Sequence, residues 1–367
     1  MKFEIDRDVF AAALARALGI ASKEVFPILR NVLLKSEDET RIQVIATDLD
    51  LSLWTIMDAR VERPGAMTIP VKEALGFARN FGDTRISVEH VADKALMTAG
   101  KSRRSLSSIR PEDFPAVESD KNKIPFIQCD KSILFRALSR IFYVVPPKAD
   151  AFSLSGIFFH SPLPGKYRFI STDGHRLAYQ YVEANAFPGL DVGKGIILPR
   201  KGVEEMLKAL EEAGDAWVAR DDRRFYLKTP DIVLSMQLLE AEYPDYEVII
   251  PEERPISFAV DIEKFKRSLK SMGVFSGNYR PVRIAVTRGK LSLSVVNTEL
   301  GEAEDELDID YDGEEFTVHI GLKLLAAMAG NIGGESMVME AVDHVHAVVC
   351  LEREDRSVLH LIMPMVV

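Results

Sequence analysis

Apolar residues recur along this chain with two alternating periods, and the order in which those periods follow one another repeats three times. Period-two runs mark strands at Arg41-Ile42-Gln43-Val44-Ile45-Ala46-Thr47-Asp48, at Lys166-Tyr167-Arg168-Phe169-Ile170-Ser171-Thr172-Asp173, and at Leu291-Ser292-Leu293-Ser294-Val295-Val296-Asn297. Each run ends in a polar turn, and Asp48, Asp173 and Asn297 are spaced by 125 and 124 residues. Upstream of each, a short strand runs into a helical period: Phe3-Glu4-Ile5 before Val9 to Leu18, Phe126-Ile127-Gln128 before Ile133 to Phe142, and Phe258-Ala259-Val260 before Ile262 to Met272. Downstream, Ile69-Pro70, Leu198-Pro199 and Ile320-Gly321 each precede a second helical period, and proline or glycine ahead of such a period is a helix-start signal. Alternation then returns, as in Arg85-Ile86-Ser87-Val88, Trp217-Val218-Ala219 and Met337-Val338-Met339-Glu340. Three anchors in fixed order at near-constant spacing predict an α+β chain of three tandem copies of one domain, over 1–120, 121–253 and 254–367.

Composition narrows the class. With 367 residues, 47% of them hydrophobic and 28% charged, the chain can bury several cores, and no apolar run reaches the length of a membrane span. The opening Met1-Lys2-Phe3-Glu4-Ile5-Asp6 is not a secretory signal, so Cys129 and Cys350 are expected as reduced thiols of a cytoplasmic protein.

Several patterns imitate active sites and fail on chemistry. Asp308-Ile309-Asp310-Tyr311-Asp312-Gly313 opens like a calcium loop, but His319 stands where the bidentate glutamate belongs, and the alternation predicts a strand entering an Asp-Gly hairpin. His344-Val345-His346 lacks a third metal ligand nearby and is expected to face solvent. Asp173-Gly174-His175 has no serine in a nucleophile-elbow setting, and its copies at Asp48 and Asn297 lack the histidine. No catalytic residue, metal or cofactor is predicted.

Charge gives a positive signal. The chain carries 46 Lys+Arg against 56 Asp+Glu, a net −10, yet the six predicted helices together carry +9. Basic helices segregated from acidic strands suggest one surface that faces a polyanion while the rest repels it. Arg136, Arg140, Arg200, Lys201, Lys266, Arg267 and Lys270 are the candidate contacts to such a polyanion. Lys101, Arg103 and Arg104 near the end of the first repeat oppose Glu299, Glu302 and Glu304 in the third. Such complementary patches would fix a homodimer's register, with Leu106, Val274 and Phe275 as its apolar groups.

Four segments together resemble a known family: Thr172-Asp173-Gly174-His175-Arg176-Leu177-Ala178, Leu198-Pro199-Arg200-Lys201-Gly202, Tyr243-Pro244-Asp245-Tyr246 and the terminal Met363-Pro364-Met365. With Pro27-Ile28-Leu29 and Asp113-Phe114-Pro115 they are similar, over the full length, to the bacterial DNA polymerase III beta subunits, the replicative sliding clamps. The resemblance implies a head-to-tail homodimer closing a six-domain ring, helices lining the hole and antiparallel sheets outside, that encircles double-stranded DNA, holds its phosphates through those basic side chains without base readout, and tethers the polymerase to it. It also implies a pocket for linear peptides of polymerase, clamp loader and repair proteins, formed by Leu154, Thr172, Gly174, His175, Arg176, Leu177, Pro244, Val248, Ile249, Val345, Met363, Pro364 and Met365. The thioethers of Met363 and Met365 suit a surface that repacks around different anchors. Two positions depart from the family: Arg104 stands where relatives commonly carry an aromatic residue, and the chain ends in Val366-Val367 rather than near an arginine. A repeat scaffold that binds protein peptides without DNA is the alternative; clustered helix cations separate the two.

Overall fold

The structure, a computed structural model, describes residues 1–21, 26–82, 84–115, 124–149, 151–274, 281–297 and 299–365. The first repeat runs β1 (Lys2–Asp6), α1 (Arg7–Leu18), β2 (Asn31–Ser36), β3 (Arg41–Thr47), β4 (Leu51–Asp58), β5 (Arg60–Arg63), β6 (Ala66–Pro70), α2 (Val71–Arg79), β7 (Arg85–Val91), β8 (Lys94–Ala99) and β9 (Ser102–Ser107). The second runs β10 (Ile127–Cys129), α3 (Lys131–Phe142), β11 (Gly156–Leu163), β12 (Lys166–Thr172), β13 (Arg176–Glu183), β14 (Ile196–Pro199), α4 (Arg200–Glu212), β15 (Ala216–Arg220), β16 (Arg224–Lys228) and β17 (Ile232–Gln237). The third runs β18 (Ile256–Asp261), α5 (Ile262–Met272), β19 (Pro281–Thr287), β20 (Lys290–Asn297), β21 (Gly301–Asp308), β22 (Phe316–Gly321), α6 (Leu322–Gly330), β23 (Ser336–Ala341), β24 (Val348–Glu352) and β25 (Val358–Ile362). Apart from β5, the three series match element for element.

Local chemistry sets the helix starts. Asp6 caps α1 by accepting from the Asp8 and Val9 N–H groups, and Asp261 caps α5 by accepting from Lys264 N–H at 2.9 Å. Pro70 and Gly321 stand at the N-caps of α2 and α6, where a free N–H is not needed. Helix α5 buries Ile262, Phe265, Leu269 and Met272 against Ile284, Leu293 and Val318 of its sheet and turns its charged residues outward. Each large side chain buried in this way stabilises the fold by roughly 1.5–3 kcal/mol.

Packing divides the chain into two compact units whose limits cut across the repeats. One comprises Met1–Lys131, Phe187–Leu190 and Glu204–Leu238; the other comprises Ser132–Ala186, Asp191–Val203 and Leu239–Val367. The sheets are the reason. The first unit holds a sheet ordered β5-β1-β7-β8-β9 and an eight-stranded sheet ordered β10-β15-β16-β17-β4-β3-β2-β6. In the latter, β17 of the second repeat pairs antiparallel with β4 of the first, Leu234 opposite Leu53. The second unit repeats that construction: β14-β11-β12-β13-β25-β24-β23-β18 is one sheet, and β25 of the third repeat pairs with β13 of the second, Leu361 opposite Leu177. A four-stranded sheet ordered β21-β20-β19-β22 completes it.

That last order corrects one expectation. Because β21 and β22 occupy opposite edges, Asp312-Gly313 lies in a crossover and not in a hairpin. Other readings hold in altered form: His344 and His346 are exposed, on a loop and not a strand, with His346 bonded to Asp343. Cys129 and Cys350 are buried free thiols; burial, aided by Asp130, pushes Cys129 up to about 12. No helix among the described residues is long and apolar enough to cross a membrane. The expected boundary at 120, Phe275 and Val366-Val367 lie outside the described residues.

Candidate functional site

The candidate cations separate by what they touch. On α5, Lys264, Arg267 and Lys270 are exposed, while Lys266 pairs with Glu263 at 3.1 Å. Between α5 and α6 lies a groove of 440 Å³, floored by Leu269, Leu322 and Ala329 and rimmed by Lys266, Lys270 and Lys323. On α3, Arg136 is exposed and its neighbour Arg140 is not available: Arg140 donates to Asp355 at 2.9 Å and lies 3.1 Å from the buried Glu352. Arg200 is committed too, donating to the Val145 carbonyl with its guanidinium 4.6 Å from the centre of the Phe142 ring. Lys201 is half-buried, and Lys208 on the same helix is held by Glu205 and Glu204. Of the candidate cations, Arg136, Arg267 and Lys270 are therefore the exposed ones.

The opposed patches fall on sheet edges. Strand β9, which carries Arg103, Arg104 and Leu106, is the last strand of the first sheet, and β21, which carries Glu302 and Glu304, is the last of the four-stranded sheet. An edge strand presents unpaired N–H and C=O groups that can template another strand. Lys101, Arg103, Glu299, Glu302 and Glu304 have no side-chain partner among the described residues, and Val274 is 75% exposed. Arg104 occupies the expected aromatic position in its own way, with its guanidinium 5.7 Å from the Phe77 ring.

The motif-bearing turn joins β12 to β13. Thr172 Oγ1 donates to the Arg176 carbonyl and accepts from Gly174 N–H, while Asp173 accepts from the His175 and Arg176 N–H groups and from Arg176 Nε at 2.8 Å. Gly174 has φ +87°, and a side chain there would meet open space, so conformation demands the glycine and not crowding. The C-terminal segment is held at two places: Met363 N–H donates to the His175 carbonyl of this turn at 2.9 Å, and Met365 N–H to the His319 carbonyl of β22 at 2.8 Å. Leu177, Tyr243, Tyr246 and Leu361 form one apolar cluster against which Leu154 and Met363 pack. Around it Val248, Ile249, Val345 and Met365 stand exposed, Val248 at 76%, and His175 and Pro244 also face solvent. Met363 and Pro364 are half-buried. The sequence-derived set falls in one unit, with Leu154, Leu177 and Met363 on a single cluster and His175 bonded to Met363.

One residue that sequence reasoning missed holds the connector 239–250 in place. Arg168 on β12 is buried with its guanidinium 4.9, 4.3 and 5.4 Å from the ring centres of Tyr179, Tyr181 and Tyr246, and it donates to Glu247 at 2.7 Å and to the Tyr246 hydroxyl. His160 bonds the same hydroxyl at 2.9 Å, and burial beside Arg168 pushes its pKa down to about 4. Tyrosines two apart at 179 and 181 share a strand face and were the available signal; Tyr246 joins them only through the fold.

Tandem copies of one α+β unit, merged through their sheets and carrying cations on their helices, define a DNA-clamp-type protein. The family models of the DNA polymerase III beta subunit match in order: the N-terminal domain over residues 1–118, the central domain over 129–245 and the C-terminal domain over 247–366. A beta sliding clamp of Caulobacter vibrioides is 30% identical, with all of both chains covered. A sliding clamp from Bartonella birtlesii, solved bound to griselimycin, superposes with TM-score 0.93 at 27% identity, covering 100% of each chain, and Caulobacter crescentus pol III beta gives 0.91 at 27%, also covering 100% of each. The chain belongs to the family of bacterial DNA polymerase III beta subunits, the beta sliding clamps.

Proposed function

We propose that two copies of this chain close head to tail into a ring around duplex DNA and tether a replicative polymerase to it. One observation carries the reading. At both internal junctions the last strand of one repeat pairs with the fourth strand of the repeat before it, β17 with β4 and β25 with β13. The strands of that type left over are β9 and β21, both open edges, one basic and one acidic. Pairing β9 of one copy with β21 of another repeats the construction a third time and leaves neither edge open. Lys101, Arg103 and Arg104 would face Glu299, Glu302 and Glu304, with Leu106, Val274 and Phe275 supplying apolar area.

Domains over 1–120, 121–253 and 254–367 fit this scheme. Arg136, Lys266, Arg267 and Lys270 hold phosphates loosely, with Lys201 at the margin, whereas Arg140 and Arg200 serve packing instead. Loose phosphate contact lets a ring slide while its closure prevents escape. Partner proteins dock linear peptides on the Thr172–Leu177 turn, with Leu154, Pro244, Val248, Ile249, Val345 and Met363 to Met365 as walls. The protein turns over no substrate and acts in the cytoplasm beside the replication machinery. Retention on DNA decides the matter: clamps loaded on a nicked circle stay bound through gel filtration and are lost when the circle is linearised. Equal retention on both forms would leave only a peptide-binding scaffold.

A further inference from the structure

We propose that the junction of the first two repeats carries a second docking site, for a short polar peptide segment of a partner protein, built on the same turn as the first. The two turns share three side-chain bonds. Thr47 Oγ1 donates to the Leu51 carbonyl at 3.2 Å, as Thr172 does to Arg176 at 2.8 Å; Leu49 N–H donates to Thr47 Oγ1 at 3.0 Å, as Gly174 does to Thr172 at 3.2 Å. Leu51 N–H donates to Asp48 at 2.8 Å, as Arg176 does to Asp173 at 3.0 Å. Leu49 shares the left-handed backbone of Gly174, φ +84° against +87°, although a leucine is strained there. Its side chain is 49% exposed.

Beside this turn lies a cavity of 530 Å³ lined by Leu49, Ser52, Trp54, Pro115, Arg223 and Gln237 among others, within the range of peptide and small-molecule sites. The register gives its chemistry. Where the later junction has Leu177 and Met363, this one has Ser52 and Gln237; Ser52 is buried and bonded to Thr47 Oγ1 at 2.8 Å, so the exposed Gln237 amide is the group that puts hydrogen bonding in place of a thioether. Asp221 is saturated by the Arg223 and Arg224 N–H groups and the Tyr226 hydroxyl, and Arg224 is held by Ser235 and the Leu49 carbonyl. Arg223 and Asp222 are exposed with no side-chain partner among the described residues. The fitting ligand is an extended segment with one apolar side chain for Leu49 and Pro115, flanked by charges of both signs.

This inference rests on reading the Thr172 turn as a peptide site, and the test keeps the two apart. Trp54 lines the cavity, and Trp217 is the only other tryptophan, so Trp217→Phe leaves a single reporter. That protein is titrated with overlapping peptides of about fifteen residues covering the replicative polymerase and the clamp-loader subunits. At least one peptide should shift Trp54 emission, bind undiminished after truncation beyond Ile362, and weaken about tenfold in Arg223→Asp and in Gln237→Ala. The proposal is overturned if truncation-sensitive peptides bind normally and none shifts Trp54 emission. If no peptide responds to truncation, the first site fails, and a Trp54 response sensitive to Arg223→Asp still upholds the second.

Discussion

The two internal junctions use one backbone device and differ in how firmly and with what chemistry it is closed. Both join an edge of one repeat to an edge of the next, and both add an arginine from the first helix of a repeat: Arg140 to Asp355 at the later junction, Arg16 to Asp231 at the earlier. The intervals between these pairs are 124 residues on both sides, so the ion pair belongs to the repeat. At the later junction Arg140 lies 2.9 Å from Asp355 and 3.1 Å from Glu352, whose side chain is 5% exposed; at the earlier Arg16 lies 3.9 Å from Asp231 and 3.2 Å from Glu212, side chains 68% and 64% exposed. A repeat thus preserves topology while its surface chemistry drifts, because strand pairing needs only backbone groups.

The largest expected effect tests that contrast directly. Arg140→Ala strands Glu352 and should cost about 3 kcal/mol in urea unfolding, whereas Arg16→Ala should cost less than about 1 kcal/mol. Equal costs would show that burial does not distinguish the junctions. In salt titrations of DNA binding, Arg140→Ala should leave the log–log slope unchanged, while Lys270→Ala flattens it by roughly 0.9.

Peptide binding should be similarly one-sided for the apolar site. Met363→Ala should weaken a polymerase-derived peptide by about 1–3 kcal/mol in fluorescence anisotropy, and its register counterpart Gln237→Ala should leave that peptide unaffected. The turns themselves should respond unequally to backbone substitution. Gly174→Ala forces a Cβ into the left-handed region and should cost about 1 kcal/mol of stability, while Leu49→Gly relieves such strain and should fall within about 0.5 kcal/mol of the parent.

The smallest effect is a difference in acid sensitivity. Burial and Arg168 hold His160 down at about 4, and burial with Arg140 holds His360 down at about 3. Below pH 6.5 the unfolded chain takes up protons that the folded chain refuses, so stability is full above 6.5 and declines as pH falls toward 4. Both histidines lie in the second unit. Hydrogen exchange at pH 5 against pH 7 should loosen that unit first, and His160→Gln should reduce the difference; uniform loosening would contradict it.

The triplication, the strand and helix order, the charge on α5 and the turn motif were all legible in the sequence, because hydrophobic period and turn chemistry are local properties that repeat within a few residues. The peptide-site residues came from family motifs; the fold packs Leu154, Leu177 and Met363 of them on one apolar cluster and bonds Met363 to His175. Tertiary structure alone decided which cations are free. Arg136 and Arg140 look alike four residues apart on a helix, and only the approach of Asp355 and Glu352, more than two hundred residues away in sequence, commits the second. The same holds for Arg168, whose cage draws Tyr246 and Glu247 from the connector, and for the open edges β9 and β21, since whether a strand is an edge depends on what pairs beside it. A charge's partners and a strand's neighbours are non-local, and period and composition carry no record of them.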